Sequence, residues 1–500
     1  MNHNTSDSAI GKSIAQNVSV LFGAQVVTWS SGFLLLYFLP RFLGTEDFGR
    51  LYLALSIKMM LGLLIDFGGN FLIPKEVARS RKKGLVLLSS FILLRIFLWI
   101  LSIGMILLLS RILGYSEHVN LLILILAVAK LWEGGTTALS AFFQGIERME
   151  YPSIGNIVEK IFVALVAVGA LFLGADSIQI AVIMTVGALL NLLTLLWFSR
   201  RIVRVTYRFD PKIFSILRPA IPYFLFSLFS VIYYRIDALM LASLTTDEVT
   251  GWYGGAFRFF DMVMVLPLIY KTAVFPVFSK LWNNTQGVLE NTIAHSLRLM
   301  ILLGLPVTVL VFLFSGDIVQ FFMGAEYAPS VIVLQIFALS IPIIYLDIIL
   351  GSVLMGAANK QKLWALTGLG AILLNISLNF VLIPWTQTEF GNGGIGAAAT
   401  TLATELFVMS IAFILIPKTY LQTFRTSYLV KPVIATLLMA LPVLLLMHGT
   451  HLYWMLSFGL GTVTYLVMLL VIKTFDIHEI DLFKEFISER KERFLILVKS

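Results

Sequence analysis

Several basic residues lie inside stretches that are otherwise apolar enough to span a membrane, among them Lys58, Arg95, Arg235, Arg258 and Lys271. A charged side chain near the centre of a bilayer costs at least about 2.5–3.5 kcal/mol, so it normally faces a polar interior or a partner of opposite charge. Ammonium and guanidinium groups bind phosphate oxygens through charge-assisted hydrogen bonds. We therefore interpret these residues as candidates to line a cationic cavity that binds an anionic substrate.

Carboxylates occupy the same apolar stretches and are candidate sites for a coupling proton or sodium ion: Asp66, Asp237, Asp261, Asp347 and Glu405. The alternative is that opposite charges neutralise one another as structural pairs. This alternative is strongest for Lys130 with Glu133 and for Arg258 with Asp261, because i,i+3 spacing places both members on one helical face. The sequence leaves both interpretations open.

Other charges have no partner on their own helix. Arg235 and Asp237 are two residues apart and cannot face the same way, so at least one needs a partner on another helix. Lys58, Arg95 and Lys271 have no opposite charge within one turn of their own helix. These three are the best candidates to face a cavity.

Six aromatic residues lie near the outer ends of predicted spans: Tyr37, Tyr52, Tyr233, Tyr234, Trp252 and Tyr253. Such positions are typical of the aromatic belt at a membrane interface. The alternative is that these rings stack on sugars at the mouth of the cavity.

The composition identifies the elements that position these residues. Hydrophobic residues make up 59% of the 500 and charged residues only 13%, whereas soluble domains contain about 25% charged residues. The chain is therefore expected to be an all-α polytopic membrane protein. The polar start at residues 1–13 is followed by a span-length apolar run, which indicates no cleaved signal peptide.

Apolar runs of roughly 20 residues predict about fourteen transmembrane helices. They lie at about 14–39, 48–73, 85–113, 119–144, 152–174, 177–199, 218–244, 252–279, 293–315, 329–355, 363–384, 393–416, 431–449 and 451–473. The loops after even-numbered spans carry most lysines and arginines, whereas the loops after odd-numbered spans hold only Arg41, Arg50 and Arg111. The positive-inside rule then places both termini on the cytoplasmic side. The membrane is expected to be the cell (inner or plasma) membrane.

The chain shows signs of an internal repeat. A shift of 202 residues aligns two hairpins and a proline further on, matching Glu46, Gly49, Ala54 and Pro74 with Glu248, Gly251, Ala256 and Pro276. Both halves begin inside, so the repeats are expected to be parallel, with an axis along the membrane normal.

These observations predict two pseudo-symmetric six-helix lobes and two added helices. The N-terminal lobe covers 1–200, a basic cytoplasmic linker 201–217 and the C-terminal lobe 218–416. Spans 13 and 14 lie within 417–475, and an amphipathic cytoplasmic tail covers 476–500. Transporters of this type bind substrate at the repeat interface and expose it alternately to each side.

Motifs for other chemistry are missing from the sequence. The chain has no cysteine, and the segment around Gly11-Lys12-Ser13 lacks the spacing and the preceding strand of a phosphate-binding loop. His448 and His451 are too few for a metal site. The net charge of +8 follows the inner loops and does not indicate nucleic-acid binding. We expect no cofactor, no metal and no catalytic residue, hence no enzyme.

Three segments together carry a resemblance to a known family: PRFLGTEDFGRLYLALS at 40–56, GIERMEYPSIGNIVEK at 145–160 and YYRIDALMLASLTTDEVTGWYGGAFRF at 233–259. They resemble the polysaccharide-biosynthesis flippases (O-antigen and exopolysaccharide type) of the multidrug/oligosaccharidyl-lipid/polysaccharide exporter superfamily. The resemblance runs over nearly the whole chain and extends to the number of spans.

The resemblance implies a flippase that moves a polyprenyl-diphosphate-linked oligosaccharide from the inner to the outer leaflet. Its expected partners are this glycan, membrane lipids, a proton or sodium ion, and polysaccharide polymerase machinery. By position, the resemblance assigns Lys58, Arg235, Arg258 and Lys271 to the diphosphate, with Arg95 on the third span as an additional candidate.

Three alternatives remain open at this point. A multidrug antiporter of the same superfamily would share the fold, and a peptidoglycan-precursor (lipid II) flippase would differ only in glycan and lipid. An integral-membrane enzyme of glycan assembly is disfavoured because the chain has no sizeable loop on which catalysis could occur.

Overall fold

The computed structural model describes residues 3–200, 221–282, 287–356, 360–446 and 454–474. The predicted linker at 201–217, the turn containing His448 and His451, and the predicted tail at 476–500 lie outside these residues. All regular elements among the described residues are helical. The predicted all-α class is confirmed.

Six helices form the first half of the described chain: α1 (His3–Asp66), α2 (Gly69–Arg79), α3 (Arg81–Leu113), α4 (Glu117–Gly145), α5 (Glu150–Phe172) and α6 (Ser177–Ser199). Ten follow: α7 (Ile221–Leu244), α8 (Asp247–Val263), α9 (Val265–Leu281), α10 (Val288–Leu313), α11 (Ser315–Phe322), α12 (Ser330–Gly356), α13 (Gln361–Phe390), α14 (Gly393–Leu415), α15 (Ser427–Leu446) and α16 (Trp454–Val471). Short 3₁₀ turns lie at Ala325–Tyr327 and Lys418–Leu421.

Among the described residues, helices lie within each of the fourteen predicted spans. Within the described residues, twelve helical segments are long and apolar enough to cross a membrane. One of these segments, Gly23–Asp66, contains most of the first two predicted spans, and α7 covers the seventh. The protein is a multi-pass membrane protein.

Two breaks interrupt the first helices. At Gly44 the backbone of α1 takes φ 73° and ψ 179°, so the helix changes direction between the first two predicted spans. Glycine accepts this left-handed φ because it has no Cβ atom. A second break separates α1 from α2, where Phe67 has φ 38° and Gly68 φ 78°. The Phe67 ring stacks on Phe224 with 4.3 Å between centroids, which helps to hold the strained residue in place.

Side-chain caps fix two of the remaining helix starts. Asp176 accepts a hydrogen bond from the backbone N–H of Gln179 at 2.9 Å, and the Gln179 side chain accepts one from the Asp176 N–H at 3.2 Å. This reciprocal capping box satisfies two donors at the start of α6. The Ser116 hydroxyl accepts from the Val119 N–H at 3.3 Å and caps α4.

The chain divides into two compact units. The first comprises Met1–Phe259, Val319–Val333 and Ala365–Thr404, and the second Phe260–Ile318, Leu334–Trp364 and Glu405–Ser500. In the first unit, α2, α3, α4 and α6 share a buried cluster that includes Phe91, Phe142 and Phe143. The boundaries of the predicted lobes at 1–200 and 218–416 stay a prediction.

Buried tyrosines fasten the helices of the second unit. Tyr345 donates a hydrogen bond to the carbonyl of Val263 at 2.8 Å, and Tyr465 donates to the carbonyl of Leu302 at 2.8 Å. The apolar ring of each tyrosine packs among side chains while its hydroxyl finds a backbone acceptor.

The first unit contains both hairpins of the predicted repeat. A Cβ atom on Gly49 would overlap the carbonyl oxygen of Asp247, and one on Gly251 would overlap the carbonyl oxygen of Thr45. Gly49 and Gly251 are 202 residues apart, as are Thr45 and Asp247. The two contacts are therefore equivalent under the repeat, which is the arrangement that a two-fold axis between the hairpins would produce.

A third contact follows the same relation. A Cβ atom on Gly254 would lie 2.5 Å from Cγ of Tyr52, and positions 52 and 254 are again 202 residues apart. Tyr52 is buried and also packs edge-on against Tyr253, with 6.4 Å between ring centroids. The absence of a side chain at position 254 therefore makes room for the Tyr52 ring.

Polar contacts surround this crossing. Arg50 Nε donates to Asp247 Oδ2 at 2.8 Å, and Arg50 Nη1 donates to Asp47 Oδ1 at 3.0 Å. The hydroxyl of Tyr327 donates to the carbonyl of Gly44 at 3.0 Å. The two hairpins are thus joined by the ion pair of Arg50 with Asp247 as well as by close backbone contact.

We predict that Gly49→Ala lowers the thermal stability of the purified protein, because overpacking of a close contact costs about 1–3 kcal/mol and here the obstacle is backbone. The apparent melting temperature in detergent, followed by size-exclusion chromatography after heating, measures this effect. Gly104→Ala is the matched control, since no heavy atom lies within 4 Å of a Cβ atom at that helical glycine. Equal melting temperatures for the two variants would contradict the proposed close contact.

Candidate functional site

A cavity of about 360 Å³ lies in the first unit between α1, α4 and α7. Its charged lining consists of Lys58 and Asp66 from α1 and of Lys130 and Glu133 from α4. Apolar residues, among them Val231 of α7, complete the wall. Charged groups concentrated in an apolar membrane protein are a candidate substrate site.

One carboxylate bridges two lysines in this cavity. Glu133 Oε1 lies 2.5 Å from Lys58 Nζ, and Glu133 Oε2 lies 3.2 Å from Lys130 Nζ. The i,i+3 contact between Lys130 and Glu133 is thus present as predicted. Lys58, which has no opposite charge on its own helix, meets the same carboxylate from α1. The triad formed by Lys58, Lys130 and Glu133 therefore contains two positive charges and one negative charge.

Asp66, also in the cavity wall, is held by a buried arginine. Arg95 of α3 is 3% exposed, and its Nη2 lies 3.0 Å from Asp66 Oδ1. Arg95 also donates to Asn70 Oδ1 and to Thr137 Oγ1, each at 3.0 Å, and to the carbonyl of Gly134 at 2.5 Å. These contacts join α3 to α4, to the end of α1 and to the start of α2, across the break at Phe67.

Two further predicted cations lie against aromatic rings. The Arg235 guanidinium lies 5.1 Å from the ring centroid of Phe257, and its Nε is 3.2 Å from Met59 Sδ. Met59 lines the cavity, so Arg235 contacts a residue of the cavity wall. The Arg258 guanidinium lies 5.5 Å from the ring centroid of Phe48. Cation–π contacts of this kind stabilise a guanidinium group without neutralising its charge.

Asp237 occupies a second, fully buried polar site in the first unit. Its Oδ1 accepts a hydrogen bond from Asn379 Nδ2 at 2.6 Å. Its Oδ2 accepts from the hydroxyls of Tyr253 and Thr401, each at 3.0 Å. Asn379 Nδ2 also donates to Asn375 Oδ1 at 2.9 Å, and Asn379 Oδ1 is buried with no hydrogen-bond partner among the described residues. One amide and two hydroxyl donors therefore hold one carboxylate inside apolar helices.

The remaining candidates lie in the second unit. Lys271 of α9 interacts electrostatically with Asp347 of α12, and Asp347 also interacts with Glu405 of α14. Asp347 Oδ1 is buried and has no hydrogen-bond partner among the described residues. Glu405 is 4% exposed, whereas Asp261 on α8 is of intermediate burial.

The structure therefore brings Lys58 and Asp66 together in one cavity wall and places Asp237 in a separate network. Sequence reasoning did not assign Lys130 and Glu133 to the cavity, because it interpreted them as a local pair. The hydrogen-bond partners of Asp237 were also missed. Asn375 and Asn379 are four residues apart in an apolar run, and this spacing is the signal that could have revealed them.

Comparison with models of known protein families shows to which family the chain belongs. Residues 14–282 match the family model described as "Polysaccharide biosynthesis protein", and residues 222–381 match the model described as "MatE". The chain belongs to the polysaccharide biosynthesis protein family. The membership expected from the segments at 40–56, 145–160 and 233–259 is confirmed.

Two curated relatives of this family member are similar over most of their length. A Haloferax volcanii protein named as a low-salt glycan biosynthesis flippase, Agl15, is 25% identical over 78% of this chain and 80% of its own. An Escherichia coli K12 protein named as an O-antigen transporter is 24% identical over 80% of this chain and 95% of its own.

Solved structures of a flippase and of a transporter share the fold of this chain. The lipid II flippase MurJ in an inward closed conformation has a TM-score of 0.72 and 17% identity, over 92% of this chain and 98% of its own. An inward-facing multidrug resistance MATE family transporter of the MOP superfamily has a TM-score of 0.64 and 15% identity, over 80% and 96%. The polytopic helical fold predicted from the sequence is thus shown.

We predict that Arg95→Met destabilises this family member by about 3–5 kcal/mol, because it leaves Asp66 unpaired in a largely buried network. The apparent melting temperature should fall, and adding Asp66→Asn should recover part of the loss. Arg79→Met is the control: Arg79 is 65% exposed and pairs with Glu76, so its loss should cost at most about 1 kcal/mol. A melting temperature for Arg95→Met as high as that of Arg79→Met would refute the structural role of Arg95.

Proposed function

We propose that this protein is a flippase that moves a polyprenyl-diphosphate-linked oligosaccharide from the cytoplasmic to the outer leaflet for assembly of a cell-surface polysaccharide. The observation that carries the proposal is the cavity in which Lys58 and Lys130 flank Glu133 within apolar helices. Membership of the polysaccharide biosynthesis family supports it, as do relatives named as a glycan biosynthesis flippase and an O-antigen transporter.

The charge of the cavity favours an anionic substrate. Asp66 is neutralised by Arg95, so the charges available to a ligand are the two lysines and Glu133. A lipid-linked diphosphate presents a negative charge on each phosphate group, and lysine ammonium groups bind such oxygens strongly where water is scarce. Arg235, which contacts Met59 of the cavity wall, is a further candidate contact for the head group.

In this proposal Arg258 and Lys271 keep the roles predicted from the sequence as residues that act on the head group. Arg95, the additional candidate, is engaged by Asp66 and by three further protein groups, so we assign it to the support of the cavity wall and not to the head group. Both termini lie in the cytoplasm, and the lipid tail stays in the bilayer through a lateral gap along spans 13 and 14. Transport exposes the site alternately to the two sides as the predicted lobes rock about their interface. The protein catalyses no covalent step and uses no cofactor.

Asp237 is the acidic residue that we propose for ion coupling. Its carboxylate, the oxygen atoms of Asn375 and Thr401, and the unpartnered Asn379 Oδ1 are hard oxygen groups of the type that bind a sodium ion, and the carboxylate itself can take up a proton. Asp66, Asp261, Asp347 and Glu405 remain candidates, with Asp66 least suited because Arg95 neutralises it.

A multidrug antiporter is the second candidate, favoured by the match of residues 222–381 to the MatE model. Deletion of the gene in its host separates the two. The proposed function predicts lipid-linked glycan trapped on the cytoplasmic leaflet and loss of surface polysaccharide. Normal surface polysaccharide together with new sensitivity to cationic drugs would instead establish the antiporter.

Two further alternatives are resolved by direct assays. A lipid II flippase would be indicated if peptidoglycan precursors accumulated in the deletion strain while other surface glycans were made normally. An enzyme of glycan assembly would be indicated if the purified protein alone transferred a glycosyl group.

We predict that Lys58→Gln and Arg258→Gln each reduce surface polysaccharide at least about fivefold in the deletion strain, at normal protein abundance, because each removes one charge-assisted contact. Quantitative glycan blotting measures the effect. Lys160→Gln is the control, because Lys160 pairs with Glu159 and does not line the cavity. Full transport by either variant would remove that residue from the site.

We also predict that Asp237→Asn abolishes the dependence of transport on a sodium or proton gradient while binding of the lipid substrate persists. The neutral amide preserves the size of the side chain but cannot carry the charge that attracts a cation. Flipping of a fluorescent lipid-linked glycan in proteoliposomes, with each gradient imposed in turn, measures this dependence. Gradient-driven transport equal to that of the wild type would exclude Asp237 as the coupling residue.

A further inference from the structure

Glu133 bridges Lys58 and Lys130, and this position suggests a role beyond charge neutralisation. One carboxylate oxygen contacts Lys58 at 2.5 Å and the other contacts Lys130 at 3.2 Å. An anion with two oxygens shared between two ammonium groups is also what a bound phosphate or diphosphate would provide. Glu133 therefore occupies the place that the proposed ligand would need.

Exposure within the triad points the same way. The Glu133 side chain is 26% exposed, against 18% for Lys58 and 12% for Lys130. Glu133 is thus the most exposed side chain of the three, and all three line the cavity. A ligand in the cavity would therefore compete most directly with Glu133 for the two ammonium groups.

The surroundings are built to hold Lys130 at this point. A Cβ atom on Gly62 of α1 would lie 2.6 Å from both Cε and Nζ of Lys130. The lysine tip therefore packs into the space that the missing side chain leaves on α1. This packing confines the tip of Lys130 against α1, the helix that carries Lys58.

We propose that Glu133 is a built-in competitor of the substrate: it bridges Lys58 and Lys130 in the empty site, yields them to the substrate's diphosphate and takes them back when the substrate leaves. This inference rests on the proposed function. The two lysines keep a counter-ion in both states, so neither is left as an uncompensated charge in an apolar surrounding. Competition also limits affinity, which aids release of a strongly charged head group.

The proposal predicts opposite changes in affinity and in transport for one variant. Glu133→Gln should bind undecaprenyl diphosphate in nanodiscs about tenfold more tightly, because the competing anion is gone. The same variant should restore less surface polysaccharide to the deletion strain than the wild type, because release slows when affinity rises. A purely structural Glu133 would lower binding and transport together.

The matched control is Glu159→Gln. Glu159 is another carboxylate within an apolar helix, pairs with Lys160 at 2.8 Å and accepts a hydrogen bond from Asn191 at 2.8 Å, but does not line the cavity. This variant should leave the affinity for undecaprenyl diphosphate unchanged. Tighter binding in both variants would reflect a general gain of positive charge and would overturn the specific role of Glu133.

A rescue experiment keeps the proposal testable even if Glu133→Gln alone folds poorly. Lys58→Gln should weaken binding about tenfold, because the remaining Lys130 is then neutralised by Glu133. Lys58→Gln combined with Glu133→Gln frees Lys130 and should return the dissociation constant to within about threefold of the wild type. No rescue would overturn the proposal.

Failure of this inference is distinguishable from failure of the proposed function. If wild-type protein binds undecaprenyl diphosphate and the lysine variants bind it less well, but removal of Glu133 neither tightens binding nor rescues Lys58→Gln, only the competitor role is wrong. If undecaprenyl diphosphate does not bind to the wild type, both are wrong.

Discussion

Charge within apolar helices has to be compensated, and this constraint organises the protein more than any single motif. Placing an ionised group in a low-dielectric environment is so costly that each needs a counter-charge, an aromatic face or a set of hydrogen bonds. The first unit contains each solution: Arg95 with Asp66, Arg235 over Phe257, and Asp237 among hydroxyl and amide donors. Each solution ties together different helices, so the same groups that need compensation also connect the helices.

These ways of compensating a charge differ in how easily a ligand could replace the protein groups that provide the compensation. The contacts of Arg95 come from four protein groups in a buried region, and a ligand could not replace all of them. The bridge between Lys58, Lys130 and Glu133 faces a cavity and rests on one carboxylate. Intramembrane charges therefore divide into those that support the structure and those available for binding, and the number and burial of the contacts separate the two groups better than residue type does.

Much of the fold was predictable from the sequence, because an apolar run of membrane-spanning length can satisfy its backbone hydrogen bonds within the bilayer by forming a helix. The i,i+3 spacing also predicted the contact between Lys130 and Glu133. The sequence could not predict that Lys58 joins them, because that contact depends on how α1 packs against α4. Tyr253 shows the opposite error: its position near a span end suggested an interfacial ring or a sugar contact, whereas it is buried and donates to Asp237. Burial of a tyrosine is decided by its tertiary neighbours.

The pair formed by Tyr52 and Gly254 shows what a single chain permits that two identical copies would not. Under the 202-residue relation these positions are each other's counterparts, yet one carries a large ring and the other no side chain, and the ring fills the space that the glycine leaves. In a dimer of identical subunits, both positions would have to change together, to two colliding rings or to an unfilled void. Because both repeats lie on one polypeptide, each side of the pseudo-symmetric contact can mutate independently, and the interface can acquire a knob on one side and a hole on the other.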